Sequence, residues 1–95
     1  MSEIPDVRHN AAERRFEIDT PEGTALLAYS ERDGIMDLVH TEVPNEFEGR
    51  GYGAALARAA LDHARERGMK VIPSCRFVST YLHRHPEYGS LVATG

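Results

Sequence analysis

Val43-Pro-Asn-Glu-Phe-Glu-Gly-Arg-Gly-Tyr-Gly-Ala-Ala-Leu56 decides how the rest of the chain is read. Gly49, Gly51 and Gly53 fall at alternate positions, follow an apolar run and lead into an alanine-rich stretch of helical periodicity. Glycine enters backbone regions closed to other residues, and without a Cβ the chain can lie directly against a ligand. The N–H groups of such a loop and of the first helical turn have no partner inside the helix. They meet the positive end of the helix dipole, an arrangement that suits phosphate. The stretch reads as a pyrophosphate cradle; the plain alternative is a tight strand-to-helix corner that binds nothing.

Two other phosphate loops fit less well. A Walker A loop ends in Gly-Lys-Ser/Thr, and the corresponding residues here are Gly51-Tyr-Gly53. Gly49, Gly51 and Ala54 do fit the glycine spacing of a dinucleotide fingerprint. That motif needs an acidic residue roughly 20 positions on to hold the ribose. Met69-Lys-Val-Ile-Pro-Ser-Cys75 offers none.

Upstream of the loop the period is two. Arg15-Phe-Glu-Ile-Asp19 alternates charge and hydrophobe as a half-buried strand does. Thr20-Pro-Glu-Gly23 is a turn, Thr24 to Glu31 a second strand, and Asp33-Gly34 a hairpin signal before a third strand, Ile35 to Val43. Residues 14–43 are thus predicted to form an antiparallel meander, with 1–13 a loose polar arm. Simple alternation along the third strand puts Leu38, His40 and Glu42 on one face and Asp37, Val39, Thr41 and Val43 on the other.

Downstream the period becomes helical. From Tyr52 or Gly53 to about Arg67, Leu56, Ala57, Ala60, Leu61 and Ala64 make an apolar stripe, and Gly68 ends it. Lys70 to Cys75 is a short strand, parallel to the third because a helix makes the crossover. Phe77 to about His85 is a second helix, and Leu91 and Val92 add a tail contact. The fold class is mixed, α+β or α/β: a meander plus a parallel strand pair, with two main helices.

Ninety-five residues make one domain, 1–95. Fifteen acidic against 11 basic side chains give a net charge of −4, which argues against a nucleic-acid partner. The single cysteine, Cys75, leaves no internal disulfide. No apolar run approaches the roughly 20 residues that cross a bilayer. With no signal-peptide pattern at Met1-Ser-Glu-Ile, a cytoplasmic protein without membrane attachment is expected, as a monomer or weak dimer. His63, His83 and His85 lack metal-ligand spacing, so no metal is expected.

The order strand, glycine loop, helix, strand, helix resembles the GNAT superfamily of N-acetyltransferases. Its signature, Gln/Arg-x-x-Gly-x-Gly/Ala, is matched by Glu48-Gly-Arg-Gly-Tyr-Gly53, with Glu48 standing where Gln or Arg is usual. His40-Thr-Glu-Val-Pro44, Pro73-Ser-Cys75 and Tyr81-Leu-His-Arg-His-Pro-Glu-Tyr88 are similar to motifs of a compact, YidJ-like subgroup that lacks extra N-terminal helices. The resemblance implies a minimal GNAT-like fold whose parallel strands, 35–43 and 70–75, splay apart around acetyl-CoA. It implies pyrophosphate binding by amides of Phe47, Glu48, Gly49, Arg50, Gly51, Tyr52, Gly53 and Ala54. The pantetheine arm of coenzyme A is expected along Thr41 to Val43, with the Val43 amide polarising the thioester carbonyl.

The implied activity is transfer of acetyl from acetyl-CoA to a primary amine on a small molecule, peptide or protein. The alternatives are a non-catalytic acyl-CoA-binding or regulatory module, and an interaction domain whose loop is structural. Cys75 sits where a following helix N-terminus and Arg76 favour a thiolate, so it could accept the acetyl group; a small core thiol is the plain reading. His40 and Glu42 are candidate bases for an ammonium substrate, or else a hydrogen-bonded histidine and a rim charge. Tyr81 stands near the place where the resemblance implies a tyrosine acid for the departing thiolate, though it also fits the apolar stripe of its helix.

Overall fold

Asp33 and Gly34 both take positive φ, 53° and 79°, the backbone a two-residue hairpin needs to match the twist of its strands. They join β3 (Gly23–Arg32) to β4 (Ile35–Glu42). The computed structural model describes residues 4–93. Its sheet runs in the order β1-β2-β3-β4-β5, with β1 at Arg8–Asn10, β2 at Arg15–Thr20 and β5 at Lys70–Ile72. All neighbours are antiparallel except β4 and β5, which are parallel as the helical crossover requires. The expected meander and parallel pair are therefore both present.

The loose arm is corrected in part. Arg8–Asn10 forms β1, paired with Asn10 opposite Arg15 and Arg8 opposite Glu17. The His9 ring lies flat on Phe16, 4.4 Å between centroids, and Nε2 hydrogen-bonds the Tyr29 hydroxyl at 2.6 Å. A three-residue edge strand is held by side chains that no alternation pattern reports.

Helix α1 (Tyr52–Glu66) buries the predicted stripe: Leu56, Ala57, Ala60, Leu61 and Ala64 are fully shielded. They pack on Phe16, Ile18, Leu27, Met36 and Leu38 of the sheet. Helix α2 (Arg76–Arg84) adds Val78, and a 3-10 segment at Pro86–Leu91 adds Tyr88 and Leu91. The tail contact is real, since Val92 bridges Val71. The described helices lie on one side, which leaves the other sheet face open to solvent. On it, buried Glu17 is gripped by Arg15, Arg8 and Asn10.

The faces of β4 differ from simple alternation. Ala28 pairs with His40 but Tyr29 with Leu38, so Val39 is the extra residue of a β-bulge. Directly opposed residues share a face. Leu38 opposite buried Tyr29 and Thr41 opposite buried Leu27 thus lie on the helix side, whereas His40 opposite Ala28 and Glu42 opposite Leu26 lie on the open side. The expected grouping of Leu38 with His40 and Glu42 is wrong because one inserted residue shifts every later side chain across the sheet.

Candidate active site

β5 follows β4 only from Ile35 to Asp37. The Cys75 N–H then donates to the Leu38 carbonyl at 2.8 Å, and the Ser74 hydroxyl donates to Asp37. Pro73 has no N–H to continue the ladder. Past the bulge at Val39, β4 runs on to Glu42 bonded to β3, with no strand on its other side among the described residues. The two strands part, as expected, and do so at a bulge that alternation does not show; β5 ends at Ile72 rather than at the predicted Cys75.

Pro44 turns the chain into a 3-10 turn at Asn45–Phe47. Three of the expected donors are already used there: the N–H groups of Phe47, Glu48 and Arg50 bond to the carbonyls of Pro44, Asn45 and Phe47. The cradle is therefore narrower than the sequence suggests. Gly49 and Gly51 have φ of 78° and 89°, values that a side chain makes costly. Gly51 caps α1 with no side-chain hydrogen bond. The N–H groups of Gly49, Gly51, Tyr52, Gly53 and Ala54 are left without a partner among the described residues. Tyr52 itself is buried, its ring against Phe47 at 5.2 Å, and the Arg50 guanidinium lies over the Phe47 ring at 5.2 Å.

Of the residues with these amides, Gly49, Gly51, Gly53 and Ala54 border a cavity of about 440 Å³, walled also by Thr41, Val43, Phe47, Glu48 and Phe77. Its size is that of a small-molecule site. Phe77, to which the sequence reading assigns no binding role, is 42% exposed on the first turn of α2. A Cβ on Gly53 would stand 2.7 Å from its ring, so Gly53 is what lets the aromatic close this wall. The only sequence signal is an aromatic two residues after Cys75.

Thr41 and Cys75 meet across the parting strands, Oγ1 to Sγ 3.3 Å. Burial pushes the thiol up, but the Thr41 hydroxyl and the amides of Val78, Phe77 and Thr41 outweigh it and hold the thiol below its ordinary value. None of the α2 amides reaches full hydrogen-bond geometry, so Thr41 is the main partner. On the open face, His40 Nε2 and Glu42 Oε2 are 2.7 Å apart, both well exposed. The candidates thus divide between faces: Thr41 with Cys75, and His40 with Glu42. Tyr81 joins neither pair; it stacks on His85 at 4.0 Å, and burial raises its hydroxyl, only partly offset by Arg58.

A second cavity, of about 430 Å³, shares Thr41, Val43 and Glu48 with the first and extends to Glu22, Gly23, Thr24, Glu42 and Pro44. Glu22, Glu42 and Glu48 make it acidic. Glu22 comes from the β2–β3 turn, and no local motif connects it with β4. Among the described residues, no group of three His, Cys, Asp or Glu could hold a metal ion, and no helix is long and apolar enough to cross a membrane.

A sequence model of the GCN5-related N-acetyl-transferase family matches residues 15–91. Protein NATD1 of Mus musculus is 37% identical over 84 residues, 84% of this chain and 76% of that one. Protein NATD1 of Gallus gallus is 42% identical over 52 residues, 55% and 47% of the two chains. Among solved structures, a GCN5-like N-acetyltransferase candidate from Staphylococcus aureus, determined in solution, is similar with a TM-score of 0.74 and 29% identity. The match covers 95% of this chain and 89% of that one.

Proposed function

Because the chain belongs to the GCN5-related N-acetyltransferase family, we propose that it moves acetyl from acetyl-CoA to a primary amine on a small molecule, peptide or protein. One observation carries this reading: Gly49, Gly51, Gly53 and Ala54, whose N–H groups are unpartnered, border a cavity that opens where β4 outruns β5. Amides presented to a charged oxygen make strong hydrogen bonds, so pyrophosphate is the natural occupant of that end. The free edge at Thr41 and Glu42 of β4, continued by Val43, faces the pantetheine arm, whose amides take the place of the missing strand. The Val43 amide polarises the thioester carbonyl, an oxyanion-type role.

Cys75 is the group we assign to receive the acetyl. Its thiolate, favoured beside Thr41, attacks the thioester carbonyl carbon. A bond to Sγ forms, the bond to the coenzyme sulfur breaks, and the coenzyme leaves as its thiolate. The amine then attacks the same carbon and returns the electron pair to Sγ. The acceptor reaches the site through the acidic cavity, where Glu22, Glu42 and Glu48 attract an ammonium. His40, tied to Glu42 on the open face, takes its proton through water.

Calorimetry with acetyl-CoA and measurement of CoA release against a panel of polyamines and lysine peptides test the proposal. Binding, release and acetyl on Cys75 by mass spectrometry are expected. Absence of acetyl-CoA binding overturns the cradle. Tight binding without release against any amine instead supports the acyl-CoA-binding module. Full turnover by Cys75→Ala removes the acyl-enzyme and leaves direct transfer.

A further inference from the structure

At the end of α1 away from the glycine turn lies a further cavity, of about 330 Å³, which shares no residue with the two described above. The 15 residues of α1 keep it about 20 Å from the cradle. Four segments distant in sequence meet there: His9 from β1, Arg14 from the turn before β2, Tyr29 and Glu31 from β3, and His63 and Arg67 from the end of α1. The rings are fixed by one another. His9 lies flat on Phe16, its Nε2 meets the Tyr29 hydroxyl at 2.6 Å, and it stands edge-on to His63 with centroids 4.5 Å apart. The charges around them are not paired: Arg14, Arg67 and Glu31 form no ion pair among the described residues. Yet all three are felt at the rings. Burial, His63 and Arg67 together hold the His9 pKa below its ordinary value, against Glu31. Burial and Glu31 raise the Tyr29 hydroxyl, against Arg14 and Arg67. Arg14 is set in place by its backbone, at φ 56°, where its carbonyl accepts the Tyr29 N–H at 3.0 Å.

We propose that this cavity is a second ligand site, for a phosphate group, free or carried by a small polar molecule, held between Arg14 and Arg67 beside the His9–His63 pair. The proposal does not depend on the acetyl-transfer reading. Each guanidinium offers several donors in a rigid fork, and one fork already satisfies a planar carboxylate. Two forks brought together from a turn and a helix end suit a tetrahedral oxyanion, with the histidine rings as further donors. The cavity has the size of a small-molecule site, larger than one oxyanion needs. Only Ala11 and Met69 make its wall apolar, so the rest of the ligand is polar. Glu31 is the counterweight: it disfavours a polyanion and leaves a single phosphate group as the best fit. An occupant would also tie the three-residue β1 and its turn to the end of α1, across elements that no ion pair now joins. Negative charge placed there opposes the fields of Arg67 and His63 at His9 and favours its charged ring.

Residue-resolved NMR of the full chain, titrated with inorganic phosphate, glycerol 2-phosphate and acetate at equal ionic strength, tests the assignment. Saturable shifts at His9, Arg14 and Arg67 are expected with both phosphates, and binding of acetate about tenfold weaker. At saturating phosphate the midpoint of the His9 ring titration should rise. Tighter binding of glycerol 2-phosphate identifies an organic phosphate as the occupant, and tighter binding of inorganic phosphate identifies the free ion. Arg14 and Arg67 are both exposed, so their replacement leaves the fold intact. Arg14→Gln and Arg67→Gln should each weaken phosphate binding by about tenfold, and Arg67→Lys should restore part of it. Shifts that never saturate, or a phosphate response confined to Gly49 to Ala54, overturn the site while leaving the cradle untouched. Unaltered phosphate affinity when both arginines are replaced by glutamine overturns it as well.

Discussion

The two halves of β4 make an instructive contrast. From Ile35 to Leu38 the strand is bonded on both edges, to β3 and to β5 with Cys75, and Met36 and Leu38 are fully buried. From Val39 to Glu42 only the β3 edge is paired, and Val39, His40 and Glu42 are exposed. The same strand is structural at one end and receptive at the other, and the bulge marks the boundary. Backbone groups that the fold leaves unpaired are what a ligand containing amides and phosphates can use. Stability and binding should therefore be separable by mutation at the closed end of β4 and in the glycine turn beside its open end.

The largest effect is expected at the closed end. Leu38→Ala removes a fully buried side chain and should cost about 2–5 kcal/mol of stability, read by denaturant melts. Per folded molecule, acetyl-CoA affinity should change little; a matching loss of affinity would merge the two halves again. At the open end the order reverses. Gly51→Ala forces a side chain into φ 89° and should cost about 1 kcal/mol in the fold, yet at least tenfold in acetyl-CoA affinity by calorimetry. Unchanged affinity would show that the turn does not hold the ligand.

The contrast sharpens at the seam. Thr41→Val removes the hydroxyl that does most to hold the Cys75 thiol below its ordinary value. The pH midpoint for alkylation by iodoacetamide should rise, so the rate at neutral pH falls, and Thr41→Ser should restore it. The smallest effect belongs to the open sheet face far from the wedge. The Arg15 hydrogen bond, against the cost of burial, holds the Glu17 carboxyl below its usual 4.5. A depressed carboxyl means the unfolded chain binds more protons than the folded one in this window. The contribution is complete above pH about 4.5 and is lost as pH falls through the folded value. Glu17→Gln should flatten the acid limb of thermal stability without altering acetyl-CoA binding.

Much of this arrangement is legible in the residues. The Asp33-Gly34 hairpin, the stripe from Leu56 to Ala64 and the glycine turn all follow from local chemistry, because each depends on neighbours within about one helical turn or one strand pair. The site is legible to the extent that it is backbone. Alternation cannot register an inserted residue, so the bulge at Val39 escapes it, and with it the separation of His40 from Leu38. Nor does the sequence show that Phe47, Glu48 and Arg50 spend their amides on Pro44, Asn45 and Phe47, since a short 3-10 turn has no strong signature.

What the sequence determined by itself is the periodicity, the turns and the presence of an anion-friendly loop at a helix start, all set by steric limits and side-chain polarity. What only the tertiary structure decided is which groups meet across distance. Thr41 reaches Cys75, Glu22 joins Glu42 and Glu48, Phe77 closes on Gly53, and Arg14 and Arg67 share a cavity with His9 and His63. Those meetings depend on where one strand stops pairing and on which face its later side chains emerge. Both are fixed by packing of the whole sheet against α1 and α2, which no local pattern contains.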